Sequence, residues 1–384
     1  MPQLTPYFLN FISGLHLGTR GINLEESATQ IPSDTIFSAF VDSWRNAGQN
    51  ISALLAKFTA SPLAPPFLLT SAYPFVGGVR FYPAPLNSTQ CFSWATLQER
   101  GKAIKRLRYW SEGILRHALA GEVLDEWLFP QDPFATPVRG LALQGGALWM
   151  GVDEVQNLPE ALRLAEENSR HARPLHALRQ ITVFALDRTP RVTVDRIRSA
   201  SAIFHVGRTT FAAGCGLWFG VQWRSPEIFA GQSERTWHAL FAETLAQLEG
   251  NGIGGMRSSG YGAFHSAQGT PFELPEPQQG KPALLLSRYH PTKVELPGVL
   301  ASPAAYTLVP VAGWLRSPDA VAQRRKRLML VGEGSIVCLP AAVAGDLVDI
   351  GPTYAGTPGV SHPVYRYGLA LSVDASKWQE RVCG

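Results

Sequence analysis

Residues 252–264 read G-I-G-G-M-R-S-S-G-Y-G-A-F, with Gly252, Gly254, Gly255, Gly260 and Gly262 placing five glycines in eleven positions. Lacking a Cβ, these residues take left-handed conformations readily and let a ligand come close to their backbone N–H groups. Arg257 adds a forked cation, Ser258 and Ser259 add hydroxyl donors, and Tyr261 adds a ring for stacking. The set suits a sugar-phosphate backbone. The plainer reading is a helix-to-strand connection.

Of the nine histidines, His16 stands out because it lies between Gly14 and Gly18 in a glycine-punctuated loop that also carries Arg20. The flanking glycines would let the backbone there approach a ligand. Other catalytic patterns are missing: the sequence has no G-x-x-x-x-G-K-[ST], no G-x-G-x-x-G after a strand, no G-x-S-x-G and no H-E-x-x-H. Cys91, Cys215, Cys338 and Cys383 lie far apart with no C-x-x-C pair, so neither a zinc knuckle nor a disulfide framework is indicated. No metal or cofactor is implied, and a reducing cytoplasm is expected.

Charge is local. The net charge of the chain is +4, yet residues 170–208 hold eight Arg, among them Arg191 and Arg196, against Asp187 and Asp195, a local +6. A second cluster, Arg100, Lys102, Lys105, Arg106, Arg108 and Arg116 against Glu112, makes +5. Charge runs are commonly solvated faces, but two such clusters in a nearly neutral chain read as anion-binding surfaces.

The elements that must position these residues follow from pattern. Residues 4–12 are short, aromatic and apolar, as a buried strand is. Ser33 offers an N-cap, and Ile36, Phe37, Phe40, Val41 and Trp44 recur on one helical face, predicting a helix over 33–47 that Gly48 terminates. Residues 94–120 read as a basic helical stretch. Residues 181–186, 192–194, 202–206 and 217–223 read as an antiparallel meander. A second helix is predicted from a Ser233 cap to Gly250 through Trp237, Leu240, Phe241, Thr244, Leu245 and Leu248. Residues 269–282 carry four prolines and few apolar residues, a linker composition. We therefore expect domains at 1–270 and 271–384. The longest apolar stretch, 211–221, is shorter than the roughly 18 residues that span a bilayer, so no membrane segment is expected.

The pairing of I-P-S-D-T-I-F-S-A-F (31–40) with the glycine loop resembles the RAMP superfamily of CRISPR effector proteins. It is most similar to subunit four of the type III-A (Csm) complexes, in the Cas-five group. S-A-Y-P-F from Ser71, V-D-R at 194–196, L-L-L-S-R-Y-H-P at 284–291, G-E-G-S at 332–335 and H-P-V-Y-R-Y-G at 362–368 extend the resemblance along nearly the whole chain. It implies an α+β fold of two ferredoxin-like βαββαβ units, the first with an inserted thumb or hairpin. It implies a cytoplasmic ribonucleoprotein subunit of antiviral defence that caps the repeat-derived 5′ tag of the crRNA without cutting it. The implied partners are the crRNA, the large signalling subunit and the adjacent backbone RAMP subunit. The expected RNA contacts are His16, Arg20, Ser33, Lys105, Arg106, Arg108, Arg191, Arg196, Gly254, Gly255, Arg257, Ser258, Ser259, Gly260, Tyr261 and Gly262. The alternative is a RAMP endoribonuclease that processes repeat RNA with His16 as general acid or base. A backbone-type RAMP would instead show a Gly-Ser-Ser-Leu-Lys type of helix start where this chain has Ser33, Asp34 and Thr35. A stand-alone RNA chaperone is a third class.

Overall fold

A computed structural model describes residues 3–18, 26–165, 171–194, 201–317, 320–352 and 363–379. Strand β1 (Gln3–Phe11) is followed by helices α1 (Ser33–Asn46) and α2 (Ile51–Thr59), then strands β2 (Phe67–Leu69), β3 (Tyr73–Val76) and β4 (Val79–Pro83). Next come α3 (Trp94–Ile104), β5 (Tyr109–Ser111), α4 (Glu112–Leu119), β6 (Gly140–Leu143), β7 (Leu148–Gly151) and the short α5 (Glu160–Arg163). Strands β8 (Phe184–Val194), β9 (Ser201–Phe211) and β10 (Cys215–Trp223), helix α6 (Trp237–Asn251), and strands β11 (Phe264–Gln268) and β12 (Phe272–Glu273) complete the first part.

Ten of these strands form one mixed sheet in the order β11-β1-β10-β3-β4-β5-β7-β6, with β12 on β1 and β2 on β10. β1 runs antiparallel to both β10 and β11. Both long helices cover the same face. Phe241 of α6 packs on Tyr7 of β1 and Phe40 of α1 at 5.1 and 4.7 Å between ring centroids, and Trp44 faces Trp237 at 6.0 Å. The Trp44 indole N–H also donates to Thr244 Oγ1 at 2.7 Å. Each of these fully buried aromatic side chains contributes about 1.5–3 kcal/mol.

Several local expectations need correction. Ser33 does not cap α1: Pro32 holds the N-cap position, and the Ser33 hydroxyl instead accepts the Arg288 N–H at 3.0 Å. Helix α6 is capped by Thr236, whose hydroxyl accepts the Ala239 N–H at 3.2 Å, because residues 229–236 are held in a turn by the Phe229–Thr236 bridge. It ends at Gly252, with φ +72°. The stretch 94–120 is two helices separated by β5, whose Tyr109, Trp110 and Ser111 are buried between β4 and β7. The meander is also divided. β8 and β9 pair with each other through eleven residue pairs, and β9 meets the rest of the chain through a bridge from Thr209 to Leu15, whereas β10 inserts between β1 and β3.

The C-terminal part contains β13 (Pro282–Leu285), α7 (Leu296–Val299), β14 (Leu308–Val311), β15 (Trp314–Ser317), β16 (Ala320–Arg324), β17 (Leu328–Val331) and β18 (Ile336–Cys338). It closes with β19 (Leu347–Asp349), β20 (Tyr365–Tyr367), β21 (Ser372–Asp374) and α8 (Ser376–Gln379). β13 sits centrally in the order β18-β13-β21, and β14-β17, β15-β16 and β19-β20 form separate pairs. Alternate residues leave β13 and its extension on opposite faces: Leu284 and Leu286 enter the main core that continues from the first part, while Leu285 joins a smaller core with Tyr289, Val331 and Val337. Among the described residues the helices of this half are four residues long. The fold is α+β with a large mixed sheet. Among the described residues no helix is long and apolar enough to cross a membrane.

Candidate functional site

The glycine loop leaves α6 at Gly252 and returns into β11, pinched at its neck by the Ile253 N–H donating to the Gly262 carbonyl at 3.0 Å. Its glycines divide into two kinds. A Cβ on Gly254 (φ +94°) would stand 2.6 Å from the His16 carbonyl oxygen, one on Gly255 would meet the His16 ring at 2.8 Å, and one on Gly262 (φ +79°) would collide with the Ile253 carbonyl. These three positions are small because the loop packs on its own neck and on residues 14–16. Gly260 (φ +81°) faces open space. It alone of the four has the room that close approach of a ligand needs. Met256 (φ 58°) and Gly260 bracket the short turn Arg257–Ser259, which projects from the loop with Arg257, Ser258 and Ser259 exposed.

His16 is the joint between this loop and the hairpin. It is 5% exposed. Its Nδ1–H donates to the Gly207 carbonyl of β9 at 2.7 Å, and its own carbonyl accepts the Gly255 N–H at 2.8 Å. Leu15 and Thr209 exchange backbone hydrogen bonds at 2.8 Å each way. A carbonyl can only accept, so this arrangement fixes the proton on Nδ1 and makes His16 a buried brace.

The hairpin brings Arg191 over the loop. Its guanidinium carbon lies 5.5 Å from the centroid of the Tyr261 ring, and Nη2 reaches the phenolic oxygen at 3.5 Å. Burial pushes the Tyr261 phenol up, but hydrogen bonds from Arg191 and Thr189 and the charges of Arg191 and Arg208 bring it below the usual tyrosine range. Arg208, on the same face of the hairpin, lies 3.7 Å from Asp187. Tyr261 itself is buried, 6% exposed, with Arg191 lying over its ring, so the plane left on the outside is the half-buried Arg191 guanidinium. The result is a ledge of that guanidinium beside the exposed Ser258 and Ser259 hydroxyls, able to hold phosphate and to stack a base on the guanidinium plane.

Other expected contacts are placed elsewhere. Arg257 is held by Asp42 of α1 at 3.2 Å. Lys105, Arg106 and Arg108 are exposed on the α3–β5 connection, separated from β1 by β10, β3 and β4 in the sheet. Ser33 is fully buried, its N–H donating to Ser71 Oγ at 2.9 Å, so it cannot touch RNA. Arg20, Arg196 and Asp195 lie outside the described residues.

A second constellation escaped the sequence reading. Asp34, 1% exposed, is gripped by Arg288 and Arg366, each with Nη1 at 3.2 Å from a carboxylate oxygen. Arg288 Nε also faces Glu333 at 3.5 Å, and the Ser71 hydroxyl donates to Glu333 at 2.6 Å. The Tyr73 hydroxyl donates to the Leu286 carbonyl at 2.6 Å. These residues come from the I-P-S-D, S-A-Y-P-F, L-S-R-Y-H-P, G-E-G-S and Y-R-Y-G segments. The dispersed motifs meet in one buried joint between the two halves of the chain. Their shared association with the family motif set was the available signal, and it said nothing about contact.

Residues 278–375 match the family model described as the CRISPR Csm4 C-terminal domain. The resemblance to subunit four of the Csm complexes is borne out by this match. The chain is similar to one in the crystal structure of the Csm3-Csm4 subcomplex of the type III-A CRISPR-Cas interference complex, at 14% identity and TM-score 0.58, over 96% of this chain and 99% of that one. It is also similar to chains in crystal structures of a Csm1-Csm4 cassette with pppApA and with cA4, each at 16% identity over 97% of this chain and 98% of the other, with TM-scores of 0.52 and 0.51. At such identities the likeness is one of fold. No curated protein matches the sequence.

Proposed function

We propose that the chain is a non-catalytic crRNA-binding subunit of a type III CRISPR effector, gripping the repeat-derived 5′ tag on the ledge between the glycine loop and the β8–β9 hairpin. The observation that carries this is the convergence of Arg191, Tyr261 and the open Gly260 turn on a brace built from His16. Single-stranded RNA recognition needs stacking platforms and donors to phosphate and 2′-OH groups; the Arg191 guanidinium, backed by the buried Tyr261 ring, offers the plane, and the exposed Arg257–Ser259 turn offers the donors. Solved relatives described as Csm3-Csm4 and Csm1-Csm4 assemblies support a backbone RAMP subunit and the large signalling subunit as protein partners.

The same reading makes residues 1–270 one ferredoxin-like domain and 271–384 a second. In the first, β1, α1, β3, β10, α6 and β11 follow one another as βαββαβ, and the antiparallel order β11-β1-β10-β3 is that of the split βαβ arrangement. The segment from β4 to β9 is the insertion, and the hairpin is its thumb. In the second, β18-β13-β21 supplies the three matching strands.

The endoribonuclease alternative asks His16 to move protons at a scissile phosphate. A ring 5% exposed whose Nδ1–H is committed to Gly207 is poorly placed for that work. Incubating end-labelled repeat RNA with the wild type and with His16→Ala separates the two. Capture without cutting by the wild type is expected; specific cleavage lost in His16→Ala would overturn the proposal.

A further inference from the structure

The C-terminal half carries a basic and aromatic feature outside the site described above. Trp314 and Arg324 are register partners at the base of the β15–β16 ribbon, and the Arg324 guanidinium lies 5.2 Å from the indole centroid. Half of the Trp314 surface (50%) is open. From there the chain runs Arg324, Arg325, Lys326, Arg327 with no acidic residue between them. Neighbours in an extended segment point to opposite sides. Arg325 accordingly turns inward against Gly313, where a Cβ would stand 2.6 Å from its Nη2, while Arg324, Lys326 and Arg327 are exposed.

The ribbon is seated firmly and in a telling place. The Arg325 N–H donates to the Gly313 carbonyl at 2.9 Å, and the Lys326 N–H to the Ile350 carbonyl at 3.0 Å, next to β19. β19 pairs with β20, and β20 sends Arg366 to Asp34 at the start of α1. The glycine loop is tied to the same helix farther along, through Arg257 and Asp42. Eight residues of helix separate Asp34 from Asp42, about 12 Å along the axis, a span of about four nucleotides of a stacked strand.

We infer that the base of the β15–β16 ribbon is a second single-stranded RNA contact, reached by the strand that leaves the glycine loop along α1. Trp314 stacks a base on the indole face turned away from Arg324, and Arg324 and Lys326, on one side of the extended segment, take successive phosphates. An acidic protein surface would also meet the cations, but an open indole backed by a guanidinium is the chemistry of base stacking. The inference rests on the glycine loop being an RNA site.

The test measures binding of labelled oligouridine of about four and about twelve nucleotides to the full-length protein over a range of salt. Trp314→Ala should weaken the long RNA about tenfold, Trp314→Phe should restore most of that, and the short RNA should be unaffected by either. Joint Arg324→Ala and Lys326→Ala should flatten the salt slope for the long RNA by about 1.4. Unchanged binding of the long RNA in all ribbon variants, with both lengths lost in Tyr261→Ala, would overturn the ribbon contact and leave the glycine-loop reading standing. Failure of the wild type to bind either RNA would remove both. Intact RNA binding with loss of a co-purifying protein subunit would assign the ribbon to an acidic protein face and also overturn the inference.

Discussion

At the scale of single residues, the ledge is defined as much by restraint as by attraction. Asp42 holds Arg257 at 3.2 Å with both side chains partly exposed, so its removal should free the cation for phosphate. Asp42→Ala is expected to tighten RNA binding, whereas Arg257→Ala should weaken it and flatten the salt slope by about 0.7; a filter-binding titration over salt concentration reads both, and weaker binding by Asp42→Ala would exclude Arg257 as a phosphate contact. The glycines should separate in the same way. Gly260→Ala bears only the strain of its positive φ, about 1–2 kcal/mol, and its effect should fall on RNA capture. Gly262→Ala collides with the Ile253 carbonyl and should show first as a lowered melting temperature in calorimetry. The loop's composition was legible because all its parts lie within thirteen consecutive residues. The role of His16 was not, because its partner Gly207 is 191 positions away and the bond to it exists only once the hairpin folds back.

At the scale of elements, the sequence pattern located the two long helices and strand β1, since apolar periodicity is a local property that tertiary packing then uses. It misplaced the caps because capping residues compete. Ser233 and Thr236 both precede the apolar stripe of α6, and the turn at 229–236 decides for Thr236. Thr236→Ala should therefore cost about 1 kcal/mol, and Ser233→Ala no more than about 0.5 kcal/mol; chemical denaturation of the two variants distinguishes the assignments, and the reverse order would contradict the observed start. The strand pattern likewise placed β9 beside β10 because they are adjacent in sequence, but β10 has both its edges taken by β1 and β3. The buried joint was invisible for a stronger reason: Asp34, Ser71, Arg288, Glu333 and Arg366 span most of the chain. Arg288→Ala would leave Asp34 and Glu333 without a shared cation in a dry interior and should destabilise the protein by about 3–5 kcal/mol, measurable as loss of cooperative unfolding between the halves; a cost under about 1 kcal/mol would mean that the joint carries little of their coupling.

At the scale of the whole molecule, the two halves share one continuous core, with Leu284, Leu286, Tyr367 and Trp378 packed into the same cluster as the first sheet. On the proposed function, an RNA strand at the glycine loop would touch a body whose C-terminal half is joined to α1 through Asp34. The α+β class came from the family resemblance, and the local strand and helix patterns agreed with it. The second unit was not, because its short strands and four-residue helices leave no periodic signal and are held by long-range pairing. The central claim, that this chain caps the 5′ tag of a guide RNA and does not cut it, is tested most directly by recovering the protein from its host with its partners. The RNA that survives nuclease treatment of the recovered complex is then sequenced. The account predicts guide RNAs whose protected 5′ ends begin with one fixed repeat-derived tag, with that protection lost when Arg191 and Tyr261 are replaced by Ala. Recovery of no guide RNA, or of tags equally protected in the variant, would contradict it.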